Sequence, residues 1–503
     1  DGQTVIYSGT FDGRPLELYS VRVDTRESRP LGLQGAKVLA VSSSGELALS
    51  LGHRYTRGFE STGTLARVPL GGTAPREVLE NVEGADWSPD GQSLAVVRNR
   101  RNTRSLEYPV GRVLHETGGW ISHPRVSPDG RRVAFLDHPE RGDAIGNVTV
   151  VDQEGQVRVL ARDGHSGIAW SPSGDEVLHY GTGRSLWATR LSGESRVLYQ
   201  SLGDLALHDV ASDGRLLLAS RTYHRELVGL RPDEATERNL SWGDWSFPAF
   251  LSADGSRVLL EEQRLATDDG NYGLFLRPTD GSPAVHLGDG RAFALSDDGR
   301  WALAGRRRSG EEIAIWLLPT GIGEARRLFS VDAMPNGGGF LPGGERIVLA
   351  APTVDAATRI HVYPLSGGPG EPIGPPGISV PLRHLIRPDG QAVLARAPDG
   401  PPTLYPIDGG EPRVVPGVAP DDFLVGWHEE SRTVFVRRGS GIPTFIDRVH
   451  IESGEREAWL ELVPPDPAGV SVVDPIIVSA DGKSLVYSYR RVLERLVVVD
   501  GLE

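Results

Sequence analysis

Residues 87–97 read WSPDGQSLAVV, a Ser-Pro-Asp-Gly turn followed at once by an apolar run. Close relatives of this stretch return along the whole chain. Their closing glycines are Gly2, Gly45, Gly91, Gly130, Gly174, Gly214, Gly255, Gly299, Gly344, Gly390 and Gly482, and a degenerate copy, WHEES, occupies 427–431. Neighbouring copies lie between 39 residues apart (Gly91 to Gly130) and 51 apart (Ser431 to Gly482). A period near 40 that persists over a chain marks a repeat architecture.

Each period has one internal plan. A short segment leads into the turn (GADWSPDG, HPRVSPDG), and an apolar strand follows the glycine (SLAVVR, RVAFLD, SLVYSY). Two further short strands, such as NVTVVD and RVLAR, close the unit. Four short strands with Gly- and Pro-rich turns describe a β-propeller blade. In 94–97, Leu94 and Val96 point one way and Ala95 and Val97 the other, so the strand is apolar on both faces and suited to stacking between neighbours. The expected fold is all-β, as tandem β-propellers. Twelve repeats divide most economically into two six-bladed rings, 1–245 and 246–503, with the break at NLSWGDWSFPAF (239–250) and seven plus five as the alternative division. Trp242 and Trp245 would pack between the rings or within one. The first repeat lacks its inner strand and the last its outer one, so residues upstream of Asp1 are expected to complete both.

The recurring aspartate reads as a turn residue. Proline presets the turn, the last glycine takes a positive φ, and Asp90 can accept backbone N–H groups. Asp129, Asp213, Asp254, Asp298, Asp389 and Asp481 take the same place, while Ser44, Ser173, Gly343 and Glu430 replace it in other copies. A catalytic group does not tolerate that exchange.

The formal charge of -14 argues against a nucleic-acid partner, which needs a basic field. Without cysteine there are no disulfides, thiolate metal sites or thiol nucleophiles. No run approaches the length of a membrane span. No G-x-S-x-G elbow occurs, since GHSG at 164–167 has the wrong spacing, and HEES at 428–431 lacks the second histidine of a zinc helix. No catalytic residue, metal site or cofactor is expected.

The WSPDG/VSPDG turn with its strand resembles the WD40-like repeat of the TolB type. Three longer stretches extend the resemblance over the full length: TVIYSGTFDGRPLELYSVRVDTRESRPLGL, LEYPVGRVLHETGGWISHPRVSPDG and DGKSLVYSYRRVLERLVVVDGLE. They resemble the C-terminal propeller regions of bacterial transmembrane serine/threonine protein kinases. That resemblance implies an extracytoplasmic (periplasmic) sensor module, tethered by an upstream membrane helix and binding an unidentified ligand or protein. This chain has no Gly-rich phosphate loop, VAIK lysine, HRD or DFG, so any kinase activity belongs to another part of the parent polypeptide. A constitutive TolB-like scaffold is the alternative, and an enzyme acting in a propeller channel the third reading.

In a propeller the residues before each turn form the innermost strand, where loops converge on a channel. Most copies are bland there: Leu39-Ala40, Ile168-Ala169, Phe293-Ala294, Gly338-Gly339. The exceptions are Asp86, His123, Arg125, His208 and Asp209 in the first half, and Arg383, His384 and Asp474 in the second. The first group is suited to an anion through Arg125 and the histidines, or to a cation through Asp86 and Asp209. A polar bore filled by mutual pairing and water is the competing reading. HRYTRGFEST (53–62) and RLATDDGNYG (264–273) are candidate rim loops.

Overall fold

The computed structural model describes residues 2–11, 15–100, 103–232, 234, 236–263, 271–308, 311–352, 358–378, 380, 386–397, 400–419, 422–439 and 441–501. Among them there is no α-helix: strands joined by turns make up the chain, with a short 3-10 turn at Thr182–Arg184. The strand after the first quoted turn, Leu94–Arg100, shows why. Leu94 and Val96 pack against Ala48, Leu65, Val82 and Ala85, while Ala95 and Val97 pack against Leu106, Ile121, Val133 and Phe135. All four of its apolar side chains are buried, each large one contributing about 1.5–3 kcal/mol. β-Branched residues on both faces suit a strand held between two sheets.

Some strands serve two sheets in turn. Arg76–Trp87 pairs first with Glu60–Pro69 (Leu79 opposite Leu65), then, past a bulge at Val82/Gly84, with Leu94–Arg100 (Trp87 opposite Leu94). Val157–Trp170 does the same between Gly146–Asp152 and Glu176–Gly181. The outer edge of one blade thus becomes the first strand of the next. In the first half of the chain these first strands touch one another in sequence order, so they surround a common centre. Two glycines permit the approach. A Cβ at Gly84 would lie 3.0 Å from Pro124 Cδ, and one at Gly167 (φ 112°) would overlap the Leu207 carbonyl oxygen.

Contacts divide the chain into Asp1–Tyr223 with Val492–Glu503, and His224–Arg491. The sequence placed the division after 245 and kept the C-terminal residues in the second half. Strand partnership accounts for the difference. Leu216–Leu230 and Leu485–Val499 each run through the boundary. In the first unit, Val497 and Val499 pack on Leu205, Leu207 and Leu218. In the second, 485–491 pairs with Val470–Val478, and 224–230 pairs with Arg238–Asn239. A repeat period counts turns; it does not say which sheet a later strand joins.

Six apolar clusters join successive sheets of the second unit in a closed circuit. Five such clusters run through the first unit among the described residues. Gly2 lies beside Ala211 and Arg215, bringing the ends of that series together. Trp242 and Trp245 both belong to the second unit. Trp245 Nε1 donates to Gln263 Oε1 at 2.8 Å, and Trp242 faces Phe275 at 5.9 Å between centroids.

Candidate functional site

The turn aspartates hold turns. Asp90 Oδ1 accepts Ser88 Oγ at 2.5 Å and the Gln92 N–H at 3.0 Å, and Gly91 has φ 69°. The pattern repeats at Asp129, Asp254, Asp298 and Asp481. In the copy with Ser173 at that place, Asp175 accepts from Ser171 instead. Hydrogen bonds from Ser88 and Gln92 hold the Asp90 carboxyl below its ordinary range.

Five first strands of the first unit are bulged midway. The breaks in register fall at Val38/Ala40, Val82/Gly84, Ser122/Arg125, His165/Ile168 and Leu207/Asp209. A bulge leaves a residue out of the ladder and re-aims its side chain. Apart from Leu39, the bulged positions here carry Glu83, His123-Pro124, Ser166-Gly167 and His208. His123 (φ 51°) and Ser166 (φ 57°) take left-handed backbone that costs non-glycine residues about 1–3 kcal/mol. In the second unit three corresponding bulges, at Pro248/Phe250, Ala292/Ala294 and Leu424/Gly426, leave out the buried apolar Ala249, Phe293 and Val425, and a fourth, at Val473/Ile476, leaves out Asp474 and Pro475.

The structure brings the first five candidates together. Arg125 Nη2 donates to the His208 carbonyl at 2.8 Å, and Asp86 Oδ2 accepts the Val126 N–H at 2.7 Å. Burial pushes Asp86 up to about 6, with Arg125 opposing and Asp209 assisting. Burial, reinforced by the positive charges of Arg125, Lys37 and Arg221, holds His123 well below its ordinary range. His208 is lowered to about 4 by burial, against the pull of Glu494. His123 nonetheless carries exposed surface. That is the situation of a side chain within a narrow, solvent-reached passage. Ser122 Oγ lies 2.8 Å from both His123 Nδ1 and His138 Nε2.

Sequence reasoning missed half of this cluster. Lys37 acts on His53, His123 and His208; Arg221 acts on His123, His165 and His208 and binds Glu494 at 2.6 Å. Burial together with Lys37 lowers His53 to about 3. The signal was present two or three positions earlier than the bland pairs Leu39-Ala40 and Ile168-Ala169, at Lys37 and His165. The bulge separates those positions from the turn.

The hairpin carrying HRYTRGFEST is a structural feature of the same mouth. Its arms, Glu46–Arg57 and Glu60–Pro69, exceed the six or seven residues common in other blades. At its tip Gly58 packs on Gly142 and Phe59 faces Tyr223, 5.9 Å between centroids. Behind it the buried Glu60 accepts Arg104 Nη2 at 2.7 Å and Arg141 Nη2 at 2.8 Å, and Arg104 Nε donates to Glu83 at 3.0 Å. Gly142 and Tyr223 belong to different blades, neither adjacent to the hairpin's own. The tip therefore lies across the centre of the unit, on the side opposite the Ser-Pro-Asp-Gly turns.

In the second unit, Arg383 and His384 lie outside the described residues, as do 264–270 of the second candidate loop. Asp474 is held in place: Arg437 Nη1 donates to Asp474 Oδ1 at 3.2 Å and to the Val473 carbonyl at 2.6 Å. Ser488 Oγ donates to the Asp474 carbonyl at 2.8 Å. The Arg437 guanidinium lies 4.3 Å from the centre of the Phe423 ring.

No family model matches the chain. The uncharacterized peptidase YuxL of Bacillus subtilis (strain 168) is 28% identical over 210 residues, 38% of this chain and 31% of that protein. The chain thus spans about a third of that relative's length. A putative TolB from Agrobacterium tumefaciens is 16% identical, with a TM-score of 0.27 over 67% of this chain and 94% of its own. The GH74 enzyme of Niastella koreensis is 11% identical, with a TM-score of 0.33 over 96% of this chain and 98% of its own. These likenesses say nothing of activity. Among the described residues no helix is long and apolar enough to cross a membrane.

Proposed function

We propose that this chain is a non-catalytic binding module made of two six-bladed propellers, and that recognition takes place in the channel of the first. One observation carries the reading: Glu83, His123 and His208 occupy bulges in the first strands of that unit, whereas the second unit fills three equivalent bulges with Ala249, Phe293 and Val425 and pairs the Asp474 of a fourth with Arg437. Polar groups directed at a common centre cost free energy unless something satisfies them. The resemblance to kinase-associated propellers extends the proposal to an extracytoplasmic sensor that passes ligand or protein binding to an attached domain.

A catalytic channel is the second reading, favoured by the raised Asp86 and by Glu83, pushed up to about 7 by burial. Each has a structural explanation, however: Asp86 ties two neighbouring blades through Val126 N–H, and Glu83 binds the buried Arg104. The test is a thermal-shift screen of the full chain against metabolites and peptides, run beside an Arg125→Ala/His208→Ala variant. Ligands are expected to stabilise the parent chain and leave the variant's transition unmoved. Equal stabilisation of both would remove the channel as the site, and chemical turnover of a ligand would make the chain an enzyme.

A further inference from the structure

We propose that the hairpin-covered mouth of the first unit binds a small anion carrying a carboxylate or phosphate group, held by Lys37, His53, His123, Arg125 and His208. The proposal rests on the reading of that channel as the recognition site and names its ligand class.

The arrangement of charges comes first. Three cations, Lys37, Arg125 and Arg221, act on the same histidines. The acids beside them are engaged. Glu494 is bound by Arg221 at 2.6 Å, Asp86 accepts Val126 N–H at 2.7 Å, Asp209 accepts the Val210 N–H at 2.8 Å, and Asp204 lies 3.3 Å from Arg184. Arg125 gives its Nη groups to two neutral carbonyls, those of Pro124 and His208. No carboxylate among the described residues lies within ion-pair distance of it. A guanidinium whose hydrogen bonds go only to carbonyls, and which meets the charge of Asp86 only from beyond ion-pair distance, keeps charge and donor capacity for a ligand.

Donor capacity points the same way. Arg125 Nε and His208 Nε2 are buried with no hydrogen-bond partner among the described residues. An anion would accept from both, and its charge would favour the protonated form of the histidines around it. A cation is the poorer fit: no group of three or more His, Asp or Glu side chains among the described residues is placed to hold a metal ion.

The hairpin sets the size. Its tip is fixed on Gly142, Tyr223, Arg104 and Arg141, and its own arm supplies His53. Gly58 has φ 52° and its Cα faces the Gly142 backbone so closely that no side chain fits. A cover seated that tightly admits a compact ligand at this mouth and excludes a polypeptide chain, which would have to use the opposite face.

The test is calorimetric titration of the full chain with inorganic phosphate and with succinate, at about pH 5.5 and about pH 7.5, in buffers of different ionisation enthalpy. One-to-one binding is expected, tighter by about tenfold or more at the lower pH, with net proton uptake by the histidines. Arg125→Gln and His208→Gln should each weaken it by about tenfold while leaving the thermal transition in place. Arg300→Gln, an exposed site in the second unit, should change nothing. The inference is overturned if neither anion binds at about 10 mM at either pH, or if binding persists unchanged in both channel variants. Should the ligand screen yield neutral compounds that the double variant no longer binds, while phosphate and succinate do not bind, the channel reading stands and the anion assignment falls.

Discussion

Glu83 lies against a guanidinium and still holds its proton more tightly than in water, because burial outweighs the pull of Arg104, which Glu60 shares. A folded-state value of about 7 against an ordinary 4.5 means that its contribution to stability is full below about pH 4.5 and is lost as pH rises through 7. The buried His138 and His179 run the other way. Burial lowers both to about 4, so their contribution is present above about pH 6.5 and lost as pH falls through 4. Glu83→Gln removes only the first slope. Relative to the parent, it should therefore gain on the order of 2–3 kcal/mol between about pH 4.5 and about pH 8, measured by urea unfolding across that range. A pH-independent difference would mean that Glu83 is ionised throughout. Ser88 offers a simpler case: buried, it donates to Asp90 and accepts Ser93 N–H at 2.8 Å. Ser88→Ala should cost about 1–2 kcal/mol, and a loss of ligand binding without that cost would contradict the turn reading. The role of Asp90 was legible in the sequence because its sister copies exchange it for serine and glycine. Asp86, His123 and His208 were legible because they break a bland pattern next to the turn. Lys37 and His165 were not, because a bulge, invisible to a period count, carries them to the same centre.

At the scale of elements, 53–62 stood out in the sequence by its aromatics and arginines, and a rim loop was a fair expectation. Its destination was beyond the sequence, since it depends on partners at Arg104, Arg141, Gly142 and Tyr223 that come from three blades. The long arms continue a strand pair past the usual blade height, and the buried Glu60 fixes where the extension ends. Arg104 and Glu60 are both fully buried, so removing one leaves the other with a single, less buried partner: Arg104 with Glu83, which holds its proton tightly, or Glu60 with Arg141. Glu60→Gln is expected to destabilise the first unit by about 3 kcal/mol, and Arg104→Met with Glu60→Gln and Glu83→Gln together by less than the single change. A triple variant worse than Glu60→Gln alone would show that the ionic cluster is a net source of stability and not a locating device. The strand Leu94–Arg100 marks the opposite limit: both its faces and its neighbours were implied by four residues of sequence, because a strand buried on two sides has little freedom to be anything else.

At the scale of the molecule, the repeat period gave the all-β architecture but not the route of the chain. The last repeat contributes its first two strands to the second unit and then, from Val492, a strand to the first. Such a strand covers an edge that Leu216–Leu230 would otherwise expose, and edges are where propellers open. In the first unit Val497 and Val499 pack against Leu205, Leu207, Leu216 and Leu218, and Arg221 pairs with Glu494. Removing 492–503 should therefore raise backbone hydrogen exchange in Asp204–Val210 and in 216–221, by loss of local protection, while Arg257–Glu262 and Trp301–Arg306 in the second unit exchange as before. Peptide-resolved exchange with mass spectrometry reads both at once. Because Glu494 and Arg221 also border the anion mouth, the truncated chain should bind phosphate with altered affinity even where the remaining blades keep their protection. Exchange that rises equally in both units would mean that they fold as one cooperative body, and the returning strand would then serve the whole chain and not the first unit's edge.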